Sequence, residues 1–266
     1  MELIWWFAYI VLGGVVGLMA GLLGIGGGGI MVPVLTGLFI LQGVPHEYLA
    51  HLALGTSMAA IIPASTASLI THWRHGAVRG EIVRYIAPGI LAGTFLATFV
   101  AASIPTRALA IFFACFMLLM SLQMLANLKP KPSRNLPGAV GLSGVGLGIG
   151  GVSALVAIGG GSLTVPFLTW CNVKLPQAIG TSAAVGLPIA LAGTLGYAIN
   201  GWGIAGLPSA ALGFVYLPAL ALMAPFSILL APLGARLAHR LPVVLLKRIF
   251  AVMLMGLALQ MVYTVF

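Results

Sequence analysis

Apolar residues run along this chain in long blocks, and polar residues gather in the short breaks between them. A block of about 20 apolar residues is long enough to cross a bilayer as a helix. The breaks separate ten apolar elements, predicted as helices. In the first half they are roughly 4–24, 29–41, 48–71, 82–103 and 106–128, and in the second roughly 138–158, 162–172, 177–200, 209–233 and 241–265. The second element of each half is short. A helix of a dozen residues reaches only about 18 Å, which does not cross a hydrocarbon core of about 30 Å. The apolar start at Ile4 lacks a basic leader, so the first element is expected to be a retained helix rather than a cleaved signal.

The pattern repeats. Residues 25–35 read IGGGGIMVPVL and residues 158–168 read IGGGSLTVPFL, a spacing of 133. Gly55-Thr56-Ser57 matches Gly180-Thr181-Ser182, and Pro63 matches Pro188, at a spacing of 125. Residues 88–125 align without a gap onto 225–262, pairing Pro88 with Pro225, Pro105 with Pro242, Ala114 with Ala251 and Gln123 with Gln260. Three matches in one order mark a duplication. It divides the chain into a first transmembrane repeat, 1–128, a polar and Pro-rich linker, 129–135, and a second repeat, 136–266.

Composition removes the soluble classes. Of the 266 residues 61% are hydrophobic and 6% charged, against roughly a quarter charged in soluble domains. The net charge of +9 does not point to nucleic acid, because the basic residues lie in short loops where topology accounts for them. Cys115 and Cys171 form no CxxC and read as small hydrophobes. No metal-ligand cluster, nucleophile–base pair or cofactor motif is visible, so neither a cofactor nor an enzyme is expected.

The basic residues also decide orientation. If each short element returns the chain to the side on which its half began, the two halves are inverted. Arg74, Arg79, Arg84, Lys129, Lys131, Arg134, Lys174, Arg236, Arg240, Lys247 and Arg248 then share one face and only Arg107 lies on the other. Parallel halves would split them six against six. The positive-inside rule selects the inverted arrangement, with both termini outside the cytoplasm. The fold class expected is therefore an all-α polytopic membrane protein of two inverted-topology repeats, with glycine-broken helices near the midplane. The charges leave open whether the first two elements of each half span fully or form a re-entrant hairpin.

The glycine runs are the candidate chemistry. Gly24 to Gly29 satisfies GxGxxG in form, but no βαβ unit or downstream acid supports a dinucleotide site. Gly26, Gly27, Gly28 and Gly29, and Gly159, Gly160 and Gly161 with Ser162, break apolar segments at matched places. Such breaks expose amides that must be buried in protein or line a wet cavity. Each is followed by a short helix with a proline, Pro33 or Pro166, expected within about its first turn. Free amides and a positive helix end make an anion site, and inverted repeats bring two such ends together. Thr56, Ser57, Thr181 and Ser182 could add hydroxyl donors, although membrane hydroxyls often bond back to their own helix. His51 is a candidate proton-linked group or simply an interfacial histidine. Gly13, Gly17 and Gly21, and Gly144 with Gly148, have GxxxG spacing and are expected to pack helices. Gln123 and Gln260 are expected to bond between helices. Trp5, Trp6, Trp73 and Trp202 fall at expected interfaces.

The glycine-rich GLLGIGGGGIMVPVL at 21–35, its partner GGGSLTVPFL at 159–168 and the doubled Gly-Thr-Ser resemble the sulfite exporter TauE/SafE family across nearly the whole chain. The resemblance implies a secondary transporter of the bacterial inner membrane for sulfur-containing anions such as sulfite or sulfonates. Carried over by position, it supports the glycine tips and the Gly-Thr-Ser pairs. The reading is alternating access by two inverted halves, with a small anion between the tips and the lipid bilayer as surroundings. A passive anion channel, or transport of small carboxylates, is the alternative. A homo-oligomer is compatible with the pattern.

Overall fold

The computed structural model describes residues 3–23, 27–126, 133–238 and 243–265. These form ten helices and one minimal hairpin: α1 Leu3–Leu23, α2 Gly28–Leu41, α3 Leu49–Arg74, α4 Gly80–Ser103, α5 Thr106–Leu125, α6 Ala139–Val156, α7 Gly161–Trp170, α8 Leu175–Asn200, β1 Ala211–Leu212, β2 Val215–Tyr216, α9 Leu217–Ala238 and α10 Val243–Val265. Seven of them, α1, α3, α4, α5, α6, α8 and α9, are long and apolar enough to cross a membrane. The protein is an all-α polytopic membrane protein. Large side chains such as Leu96, Leu119, Leu195 and Leu229 remain exposed on the bundle. In water that would be a liability, and in lipid it is the required surface.

The expected short second elements are present. α2 has 14 residues and α7 has 10, about 21 and 15 Å. Pro33 and Pro166 sit one turn deeper than the sequence suggests, each as the sixth residue of its helix. A proline there has no N–H for the carbonyl four residues back. The carbonyls of Gly29 and Ser162 therefore lose their helical donor next to each tip.

One expected element differs. The apolar block at 209–233 does not begin as helix. Its first residues form the β1–β2 hairpin, with Leu212 paired to Val215 and Ala211 to Tyr216. Gly213 takes φ +56° at the turn, and a β-carbon there would strike the Ala198 carbonyl. A glycine with positive φ at the first turn position is what a two-residue hairpin needs. Apolarity alone does not separate such a ribbon from the start of a helix.

The most extensive helix contacts join one half of the sequence to the other. They are α4 on α6, α1 on α9, α3 on α8, α4 on α8 and α5 on α10. Glycines set the closest approaches. Gly146 and Gly150 of α6 lie against the backbone of Ile86 and Ile90 on α4. Gly13 and Gly17 of α1 lie against the backbone of Met223 and Ser227 on α9. In repeat terms these are the same contacts made twice, with the two halves exchanging roles. Gly144 and Gly148, expected to pack, have nothing within 4 Å of a built β-carbon. The register of the tight stripe is 146/150, and 144/148 face outward.

α3 and α8 occupy matched places in the repeat, and they run antiparallel. Gly193 packs under Met58 and Gly186 lies by the Ser65 hydroxyl, so the contacts bracket the matched prolines Pro63 and Pro188. The end of the linker docks on α7. The amides of Ser133 and Arg134 donate to the Trp170 carbonyl, and the Trp170 indole N–H donates to Ser133 Oγ at 2.8 Å.

Candidate functional site

α6 ends at Val156, and Ala157 takes the left-handed conformation at φ 46° and ψ 42°. That is an uncommon place for a residue with a β-carbon. It turns the chain sharply, so that Ile158, Gly159 and Gly160 lead into α7. The tip formed this way touches the other one. The Ala157 carbonyl oxygen lies where a β-carbon on Gly28 would stand, with Ile61 of α3 beside it.

Each glycine has a separate neighbour. Gly27 lies against Val16 of α1, and Gly29 against Leu254 of α10 and Met117 of α5. Gly160 lies against the Ser182 carbonyl, Val185 and the Gly186 amide of α8. Gly159 and Gly160 are buried, and Gly161 and Ser162 are half-buried. Gly26 lies outside the described residues. Five helices from both halves thus converge on two glycine tips.

The polarity of this centre is unusual. Among the described residues, the buried polar side chains other than tyrosine are all serine or threonine hydroxyls, with His51 the one exception. No buried Lys, Arg, Asp or Glu is present among them. No group of His, Cys, Asp and Glu among the described residues could hold a metal ion.

Among the described residues, four buried hydroxyls have no partner: Ser57 of α3, Thr94 of α4, Ser153 of α6 and Thr164 of α7. An unpaired buried hydroxyl costs about 1–3 kcal/mol, and a helical Ser or Thr readily avoids this by bonding back to its own helix. Ser153 stands one turn before Ala157. Thr164 is in the first turn of α7, and a helical side chain leans over the preceding turn, toward Gly160. Ser57 is one turn from Ile61, which borders Gly28. The α7 terminus has no side-chain cap, and no described residue accepts from the amides of Gly161, Ser162 or Leu163. Three of these hydroxyls, Ser57, Ser153 and Thr164, and the first amides of α7 therefore lie within a turn of a residue at one of the tips.

The matched threonines do something the sequence did not suggest. Thr56 Oγ1 accepts from the Tyr216 amide at 2.9 Å, and Thr181 Oγ1 from the Arg79 amide at 3.0 Å. Their oxygens are occupied by loop backbone, although each hydroxyl hydrogen stays available. Ser57 and Ser182 are buried at 0% and 2% exposure. Ser153, Thr164 and Thr94 have no hydroxyl counterpart in the repeat, so the sequence does not mark them. Their only signal is position, within a turn or two of a glycine run or stripe.

His51 is buried at the start of α3. Its Nε2–H faces the carbonyls of Ala101 at 3.0 Å and Ile104 at 3.1 Å, and its ring stacks on Phe214 at 5.1 Å. The imidazole serves there as a tie between α3, the end of α4 and the hairpin.

A bundle of apolar helices closed around an uncharged centre of amides and hydroxyls defines a polytopic helical membrane protein, and the proteins it resembles are membrane transporters. The chain belongs to the sulfite exporter TauE/SafE family, which it matches over residues 9–261. It is 35% identical over 254 residues to a probable membrane transporter protein of Haemophilus influenzae, covering 95% of this chain and 96% of that one. A probable membrane transporter protein of Xylella fastidiosa is 33% identical over 194 residues, covering 70% of this chain and 71% of its own. One from Methanocaldococcus jannaschii is 24% identical over 249 residues, covering 87% and 86%. No solved structure matches the chain.

Proposed function

We propose that the protein is a secondary transporter of small oxyanions, of the sulfur oxyanion or sulfonate class, working by alternating access in a bacterial inner membrane. The observation that carries this reading is the meeting of the two glycine tips, Gly28 against Ala157, among buried hydroxyls without partners. An oxyanion supplies what those hydroxyls and the α7 amides lack, namely several acceptors in a small volume. The positive end of α7 adds to the attraction. Neutral donors hold an anion less tightly than Arg or Lys would, which suits release on the far side.

The sulfur class rests on the family's name. The inverted arrangement draws support from the antiparallel run of α3 and α8 and from the one-sided Lys and Arg. It puts both termini outside the cytoplasm. Because the closest helix pairs join the two halves, the parts that move against each other each contain helices from both.

A thermal-shift screen of purified protein against sulfite, sulfate, alkyl sulfonates and small carboxylates tests the substrate class. Stabilisation by a sulfur oxyanion, with saturable counterflow of it in proteoliposomes, is expected. Stabilisation by carboxylates alone overturns the sulfur assignment, and conductance without saturation overturns the transporter mechanism.

A further inference from the structure

We infer that the two Gly-Thr-Ser segments are a matched pair of latches, one for each face of the membrane, that hold the transporter closed. The inference rests on the inverted arrangement proposed above for the assignment to opposite faces, and on geometry alone for the latches.

Each segment grips the loop that leads into a helix of the other half. Gly55 lies under the Phe214 carbonyl, and Thr56 takes the Tyr216 amide two residues on, just before α9. Gly180 lies under the Ala77 carbonyl, and Thr181 takes the Arg79 amide two residues on, just before α4. The correspondence holds residue by residue. Phe214 stands 137 positions after Ala77 and Tyr216 137 after Arg79, the same spacing that aligns the helices following them. A glycine is required in each latch because a β-carbon would collide with the loop backbone. The threonine oxygen supplies the acceptor for an amide just outside a helix, Tyr216 before α9 and Arg79 before α4.

These loops lie at opposite ends of the antiparallel α3–α8 pair. Releasing Tyr216 frees the β1–β2 loop at the end where α3 begins. Releasing Arg79 frees the short loop at the end where α8 begins. One bond on each side is the minimum that alternating access needs, and here both are made at once. The outer latch has a part the inner one lacks: His51 stacks on Phe214 at 5.1 Å. The matched inner pair is Pro176 and Ala77, without an aromatic ring on either side.

Single-cysteine reporters at Val215 and Val78, the central loop residues, test this in a Cys115→Ala, Cys171→Ala background. Labelling by a membrane-impermeant maleimide is followed in right-side-out and inverted vesicles. Thr56→Val is expected to speed labelling at 215 from outside by about tenfold, which corresponds to a hydrogen bond of about 1.4 kcal/mol. It should leave position 78 unchanged. Thr181→Val is expected to do the reverse from inside. Thr56→Ser and Thr181→Ser, which keep the acceptor, should stay within about twofold of the parent. Equal changes at both reporters, or none at either, would overturn the latches. Labelling of both reporters from one face would overturn their division between faces. Hydrogen exchange of the unsubstituted protein is independent of whether the variants fold. The Arg79 and Tyr216 amides should exchange at least about tenfold slower than free loop amides, and fast exchange at either removes that latch.

Discussion

The Ala157 carbonyl oxygen occupies the space that a β-carbon on Gly28 would need, which joins the two glycine tips at backbone level. No side chain lies between them. The contact makes a single centre from two sequence motifs 133 residues apart.

Gly28→Ala should therefore force the tips apart. Overpacking of this kind costs about 1–3 kcal/mol. Gly144→Ala is the control, since nothing lies within 4 Å of its built β-carbon. It should be neutral or stabilising by up to about 1 kcal/mol, because alanine is the better helix former. Thermal unfolding of both variants in one detergent checks the pair. Equal midpoints would show that the tips do not touch.

The glycine stripes on α1 and α6 make equivalent contacts and should respond alike. Gly17→Ala pushes into Ser227 backbone and Gly150→Ala into Ile90 backbone. Each should lower the unfolding midpoint, whereas Gly148→Ala should not. Small residues matter in lipid only where backbones come together. A loss in Gly148→Ala comparable to that in Gly150→Ala would contradict the observed register.

The unpartnered hydroxyls predict a trade between stability and binding. Ser153→Ala and Thr164→Val each remove a buried hydroxyl without an acceptor. Each should raise the stability of the empty protein by about 1 kcal/mol. The same changes should weaken binding of the stabilising anion by about tenfold, the value of a hydrogen bond near 1.4 kcal/mol. Melting curves with and without sulfite give both quantities. Destabilisation of the empty protein would show that these hydroxyls already have partners.

His51→Phe should keep the stack on Phe214 and lose the Nε2–H donor to Ala101 and Ile104. A loss of about 1–2 kcal/mol is expected, read as a lower unfolding midpoint at neutral pH. His51→Gln keeps a donor and should recover part of it. If both variants match the parent, His51 is not a tie between α3 and α4.

The sequence by itself determined the solvent, the helical elements apart from the hairpin that opens the block at 209–233, and the internal repeat. A backbone in lipid must satisfy its own hydrogen bonds, so apolar length reads directly as helix. The short α2 and α7 followed from length, and the tips from runs of glycine that no helix face requires. Tertiary structure alone decided which faces meet. In lipid every face is apolar, so periodicity does not mark the buried one, and 146/150 could not be told from 144/148. It also decided what Thr56 and Thr181 hold, because their partners lie 160 and 102 residues away on loop backbone. Ser153 and Thr164 became candidate ligands for the same reason. A hydroxyl matters at a site through the partner it lacks, and only the folded chain shows that.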